Sequence, residues 1–372
     1  MNKNTYKLFN NKISGSFLLT IMAVIVVLFI SGCSKDIKSD VSTSTSADTS
    51  PEVQIIVENY TDAENTTAVE DNTQDVVDSP NYTENSYVPA FSSPYIFYDV
   101  FRTEHEMELN TSVPVNLYNP DNYSYVDIDA IGNRIAESTD AYACNTKPSD
   151  DPSVQMQGYT GIIKYDDEKY TSKFGIDVSK FQGNIDWNKV KEAGVEFVFV
   201  RVGFRGYGES GSLKEDAYYK RNIEGATAAG LDVGVYFYAQ AINEEEAIEE
   251  ADFVLNLISD YNLSLPIVYD PEHVLNDVAR TDNISGEQFT KNARAFSDKI
   301  MSAGLVPMIY ANMMWEAYEL DLSYLSDVPI WYADYENKPQ TPYNFTTWQY
   351  SQAGKIQGIN GTVDLNLMIV EK

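Results

Sequence analysis

The chain has 372 residues and a formal net charge of −30, with 56 acidic residues against 26 basic ones and only two histidines. That length holds one large domain plus additional segments. The charge leaves no basic footprint for nucleic acid and no basic patch for anionic lipid, and two histidines argue against a His-rich zinc site. The two cysteines, Cys33 and Cys144, lie far apart and do not read as a disulfide framework.

Residues 1–32 read as an export signal. Lys3, Lys7 and Lys12 precede an apolar run from Phe17 to Ile30, and Ser31-Gly32-Cys33 comes directly after it. Small residues before a cysteine at this place resemble a bacterial lipoprotein signal, which implies cleavage before Cys33 and lipidation of its thiol. An uncleaved anchor is the alternative, although the run is short for a transmembrane span. Either reading puts the remainder on the outer face of the cytoplasmic membrane, where Cys144 would be an unpaired thiol.

Residues 33–94 then form a tether. They are rich in Ser, Thr, Asn, Asp and Glu, with twelve acidic residues from Asp36 to Glu84 against Lys35 and Lys38. Such a segment buries too little apolar area to offset its ordering entropy. A flexible coil of this length spans on the order of 45 Å. Residues 95–172 carry many aromatics (Tyr95, Phe97, Tyr98, Phe101) and two alternating runs, Ser112 to Tyr118 and Tyr159 to Tyr165. They read as a small β module or as an extended lead-in packed on the next domain, with a structural role favoured over wall binding.

From residue 173 to 372 strands and helices alternate. Strands are expected at Phe174 to Val178, Phe197 to Val202, Asp232 to Tyr238, Pro266 to Tyr269, Val306 to Tyr310, Val328 to Ala333, Thr346 to Tyr350 and Val363 to Leu367. Helices are expected at Asp186 to Ala193, Asp216 to Ala229, Asn243 to Ser259 and Ser285 to Gly304, with a short one near Met313 to Tyr318. Ile248, Ala251, Leu255 and Ile258 form one candidate apolar stripe, and Phe289, Ala293, Phe296 and Ile300 another. Continuous apolar strands between amphipathic helices predict a parallel sheet covered by helices. Eight of them in about 200 residues predict an α/β fold, a small closed β/α barrel of TIM-like type, with a reduced set of about five helices.

In such barrels the site lies at the C-terminal ends of the strands. Asp270 and Glu272 end the fourth strand and, two residues apart on an extended chain, project to one face. Alone, that pair fits a solvated acidic loop equally well. Asp177 on the first strand and Asp364 on the eighth bring two further carboxylates to the same rim. Tyr236, Tyr238, Tyr310, Trp331, Tyr332, Trp348 and Tyr350 also sit near strand ends, where they suit sugar rings or helix–sheet packing. Arg201 is a candidate counter-charge or a structural ion pair. Gly203, Gly206 and Gly208 open no helix directly and do not read as a phosphate cradle. A calcium loop at Asp364 would lack further acidic ligands nearby, so no metal and no cofactor are expected.

Phe174 to Trp187 (FGIDVSKFQGNIDW) resembles the opening of the glycoside hydrolase family 25 muramidases. The segments FVFVRVG from Phe197, VGVYFY from Val233, PIVYDPE from Pro266, PIWYA from Pro329, WQYS from Trp348 and GINGTVDLN from Gly358 continue in that family's order. The resemblance covers residues 173–372 and implies a β/α barrel that hydrolyses the β-1,4 bond after N-acetylmuramic acid. Carried over by position, Asp177, Asp270, Glu272 and Asp364 are the catalytic acids, with Tyr236, Tyr238, Tyr310, Trp331 and Gln349 as substrate-binding residues. Phe181 departs from the family, which often has His there.

Each acid then has an expected role. Glu272 is the general acid and must hold a proton at working pH, which the nearby Asp270 and exclusion of water favour. Asp270 stabilises the oxocarbenium-like transition state, directly or through the substrate's 2-acetamido group. The expected partners are peptidoglycan glycan strands and a membrane reached through the lipid on Cys33, with no nucleic acid and a monomeric protein. A catalytically inactive wall-binding lipoprotein and another N-acetylhexosamine glycosidase on the same fold are the competing readings.

Overall fold

A computed structural model describes residues 112–128, 134–138, 157–274 and 277–372. The proposed signal, Cys33, the tether, Tyr95 to Phe101 and Cys144 lie outside the described residues. All described residues belong to one compact unit, Asn72–Lys372.

The barrel is built from β4 (Tyr170–Val178), β5 (Phe197–Arg205), β7 (Asp232–Ala239), β8 (Ile267–Pro271), β9 (Pro307–Asn312), β10 (Ile330–Ala333), β11 (Thr347–Gly354) and β12 (Val363–Glu371). Neighbours come in the order β4, β5, β7, β8, β9, β10, β11, and β12 closes the ring between β11 and β4. A short strand, β6 (Leu213–Glu215), folds back antiparallel on the end of β5. This is the expected small TIM-like barrel of eight strands.

One expectation needs correction. The sheet is not wholly parallel, because β12 runs antiparallel to both β11 and β4. The cause is the connection. Only eight residues, 355–362, separate β11 from β12, and a parallel crossover needs a dozen or more. Gly358 and Gly361, both at positive φ, turn the chain instead. Asp364 therefore lies at the start of its strand, yet at the mouth where the other strands end.

Helices cover part of this ring. They are α1 (Trp187–Glu192), α2 (Tyr219–Ala228), α3 (Glu244–Ile258) and α4 (Gly286–Ser302). Asn243 caps α3 by accepting from Glu246 N, and Glu244, Glu245 and Glu246 complement the positive end of its dipole. The buried face of α3 is Ala247, Glu250, Ala251, Val254 and Ile258, with Ile248 exposed. The expected stripe is thus rotated by part of a turn, because Glu250 faces inward to pair with Arg205 at 2.8 Å. On α4 the expected face holds: Phe289, Ala293, Phe296 and Ile300 are all buried.

After β9 the helices run out. A single π-helical turn, Trp315–Glu319, precedes β10, and among the described residues no helix connects β10 to β11 or β11 to β12. The outer wall there meets a second sheet, β1 (Tyr123–Ile128), β2 (Arg134–Ser138) and β3 (Ile162–Tyr165), antiparallel in the order β2-β1-β3. Tyr118 packs edge-on against Phe345, with ring centroids 5.1 Å apart, and Tyr123 does the same against Trp348 at 5.6 Å.

Candidate active site

Strand alternation decides what points into the barrel. Phe197, Phe199, Tyr236, Val268, Met308, Tyr310, Trp331, Ala333 and Met368 form an interior cluster separate from the outer core. Val268 points in, so Asp270 two residues later points in above it, while Tyr269 points out onto Phe296 of α4. Ile176 and Val178 belong to the outer core, so Asp177 points in. Asp364 pairs directly with Asp177 across β12 and β4, which puts the two carboxylates on the same face. Tyr238 stands beside Asp270 in register on the neighbouring strand.

The four carboxylates converge on two phenols. Burial pushes the Tyr310 hydroxyl well above its usual range, reinforced by Tyr335, Glu272, Asp270 and Asp177. Burial likewise raises Tyr335, with Asp364, Glu272 and Asp177 adding to the effect. Each of the four acids therefore acts on at least one of these rings.

A chain of hydrogen bonds leads from the phenols to Asp177. Tyr310 and Tyr335 both donate to Gln349 Oε1, at 2.9 and 3.0 Å. The Gln349 amide then donates from Nε2 to Asp177 Oδ2 at 2.9 Å. From the other side Trp331 Nε1 donates to Asn366 Oδ1 at 2.8 Å, and Asn366 Nδ2 donates to the same Asp177 oxygen at 2.8 Å. Indole N–H can only donate, so Asn366 must turn its NH₂ toward Asp177. The network has one sense throughout and delivers two donors to one carboxylate oxygen.

Glu272 lies just past β8, and its backbone is fixed separately. Gln240 Nε2 donates to Glu272 O at 2.7 Å, while Gln240 Oε1 accepts from Thr281 and Gln240 N donates to Glu250. Glu250 pairs with Arg205, so a buried ionic group anchors the strand end. The next residue, His273, stacks on Trp315 of the π-turn and meets Glu319 at 3.0 Å.

The remaining residues sort by depth. Trp331 is 1% exposed and stacked on Phe199, so it forms the floor beneath the carboxylates, with Tyr236 and Tyr310 edge-on to it. Tyr332, Trp348 and Tyr350 belong to the outer core. Arg201 makes a buried ion pair with Asp216 at 3.0 Å. Asp216 also accepts from Lys180 N, which ties down the turn after Asp177. Phe181 on that turn is half exposed at the mouth, with the Arg201 guanidinium 5.1 Å from its ring centre. Among the described residues no group of three or more His, Cys, Asp or Glu could hold a metal ion.

Three site features escape sequence reading. Tyr335 lies just past one expected motif and Asn366 ends another, neither matching a chemical pattern, and Gln240 acts only through a main-chain oxygen. Asn366 was accessible, because it lies two residues after Asp364 and so on the same face.

Comparison with known proteins places this barrel. Residues 176–359 match the family described as Glycosyl hydrolases family 25. An autolytic lysozyme of Clostridium acetobutylicum is 33% identical over 193 residues, covering 52% of this chain and 54% of that protein. Lysozyme M1 of Streptomyces globisporus is 28% identical over 207 residues, covering 52% of this chain and 66% of its own. The solved modular autolysin LytC from Streptococcus pneumoniae is 31% identical with a TM-score of 0.46, over 53% of this chain and 46% of that one. The chain thus spans about half the length of the first relatives it matches.

Proposed function

We infer that the barrel hydrolyses peptidoglycan glycan strands at the β-1,4 bond between N-acetylmuramic acid and N-acetylglucosamine. The observation that carries this reading is the convergence of Asp177, Asp270, Glu272 and Asp364 at one mouth, the first three inside the family-matched segment and Asp364 just beyond its end. Glycoside hydrolysis needs a proton donor to the leaving oxygen and a negative charge beside the developing oxocarbenium ion. Glu272, beyond the strand end and held by its backbone, is the donor. Asp270, set deeper on β8, stabilises the cationic sugar directly or through its acetamido oxygen. Asp177, saturated with amide donors on one oxygen, keeps its place and charge, and Asp364 faces it across the barrel's closure.

The flanking residues fit a tethered wall enzyme. Residues 1–32 direct export, lipid on Cys33 anchors the chain, and residues 33–94 let the barrel reach the wall of the cell that made it. Remodelling of that wall suits a tethered hydrolase.

The deciding experiment uses the full chain on purified peptidoglycan. Wild type should release new reducing ends, and the product ends should be N-acetylmuramic acid. Glu272→Gln should lower turnover by about 10³-fold, within the usual range for losing a general acid, while binding to peptidoglycan persists. Release of reducing N-acetylglucosamine would indicate a different N-acetylhexosamine specificity. Binding without any release by wild type would replace the enzyme reading with a wall-binding one. Cys33→Ala should move the protein out of the membrane fraction, and its retention there would favour an uncleaved anchor.

A further inference from the structure

Residues 113–128 and 157–165 precede the family-matched segment, yet they contribute to its core. Where β10, β11 and β12 carry no crossover helix, Phe345, Trp348 and Tyr350 point out of the barrel and are nevertheless fully buried. The β1–β3 sheet and the segment leading to it cover them. Tyr118 donates to Phe345 O at 2.9 Å. Tyr350 donates to Gly161 O at 2.9 Å, and Ser351 Oγ donates to Gln157 O at 2.8 Å. Gly158, at φ 79°, lies so close to β11 that a Cβ there would meet Tyr350 O at 2.0 Å.

The inner side of the same wall belongs to the site. Gln349, between the outward Trp348 and Tyr350, points in and donates to Asp177. Tyr335, on the loop from Asp334 to Thr341, donates to Gln349. That loop is gripped from both sides. Inside, Asp334 accepts from Glu336 N and Gln340 N, and Trp348 Nε1 donates to Asp334 O. Outside, Tyr125 on β1 donates to Asn337 O at 2.7 Å, and Asn116 Nδ2 donates to Thr341 O at 3.3 Å.

We propose that residues 113–128, 134–138 and 157–165 are a positioning element of the active site: they replace the missing helices behind β10 to β12 and, through Tyr125, hold the loop that presents Tyr335 to Gln349 and so to Asp177. This rests on the glycosidase reading of the site. Tyr125 touches no reacting group. It sets the loop, the loop sets Tyr335, and Tyr335 helps orient the Gln349 amide toward Asp177.

Tyr125→Phe tests this with little risk to folding, because the ring and its edge contact with Tyr159 remain. In the full chain, kcat on peptidoglycan should fall about tenfold with KM nearly unchanged, the signature of a displaced group rather than weaker binding. Tyr335→Phe should do the same, and the double variant should be no worse than the poorer single one, since both act on one amide. Multiplicative losses, or an unchanged kcat in Tyr125→Phe, would overturn the proposal. A second readout needs no turnover. Amide hydrogen exchange at Glu336 and Gln340 should accelerate in Tyr125→Phe while α4 keeps its protection. Unchanged exchange there would also overturn it. Absence of turnover in wild type would count against the glycosidase reading, and the exchange result would then decide the loop's dependence on Tyr125.

Discussion

The two sides of the barrel solve one problem by different means. From β4 to β9, each crossover contributes a helix, and local sequence buries each strand's outer face: Tyr269 lies on Phe296 of α4, and Phe237 meets Phe253 of α3. From β10 to β12 the crossovers are bare, and the cover comes from about 200 residues earlier, as in Tyr118 to Phe345 and Gly161 to Tyr350. The helical side can form from neighbours in sequence. The sheet-covered side must close a long loop before its rings are buried, which costs chain entropy and slows assembly. The acids on β8 belong to the first side, whereas Gln349 and Tyr335 belong to the second, so the site depends on both.

If the two covers are equivalent once formed, removing a ring from either should cost alike. Phe296→Ala and Trp348→Ala should each destabilise by about 3–5 kcal/mol, the usual loss for a large aromatic in a packed core, measured by urea unfolding of the full chain. A Trp348→Ala cost below about 1 kcal/mol would break the equivalence and make the β1–β3 sheet a loose cover.

The seam between the two sides carries a titrating group. Glu316 lies on the π-turn where the helices run out, and Thr341 of the clamped loop donates to its Oε2 at 2.6 Å. Its Oε1 has no hydrogen-bond partner among the described residues. Burial pushes its carboxyl up to about 8, with Asp334 adding to the rise. Asp334 itself is pushed up to about 6 and Glu336 to about 7, burial being the main cause in both. The folded-state value of Glu316 exceeds the unfolded one, so the folded protein holds the extra proton between about pH 4.5 and 8. Stability therefore falls as pH rises through that window. Glu316→Gln keeps an oxygen to accept from Thr341 and removes the titration. It should reduce the stability lost between pH 5 and pH 7 by about 2–3 kcal/mol, at about 1.4 kcal/mol per pH unit. Parallel pH profiles for wild type and variant would show that Glu316 is ionised in the folded seam.

Legibility in the sequence divides along the same line. The eight barrel strands, the four helices and the inward carboxylates all rest on short-range periodicity, and each appears within a few residues of its expected place. The expected stripe on α3 slipped because periodicity treats Glu250 as solvent-facing, while Arg205, 45 positions earlier, draws it inward. The apolar run of β12 does not itself record a direction, which is set by the eight-residue approach from β11. In the lead-in, Ser112 to Tyr118 forms only an isolated bridge from Val115 to Tyr343. The strand instead forms at Tyr123–Ile128. Its partners are β2, β3 and a barrel wall more than 200 residues away, and no local pattern records such pairing.

The smallest expected effect separates the kinds of contact that hold the 334–341 loop. Lys338 reaches Asp121 at 3.5 Å, with both ends in solvent, directly beside Asn337, whose carbonyl accepts from Tyr125. An exposed pair gains little Coulomb energy in water, costs side-chain entropy and is screened by salt. Lys338→Ala should therefore change stability by less than about 0.5 kcal/mol and leave the exchange of Glu336 and Gln340 amides as in wild type. The neutral bond next to it is short and largely shielded, and its loss leaves the Asn337 carbonyl without that donor. A loop that loosens in Lys338→Ala but not in Tyr125→Phe would mean that surface charge, rather than the sheet behind β11, holds Tyr335 against Gln349.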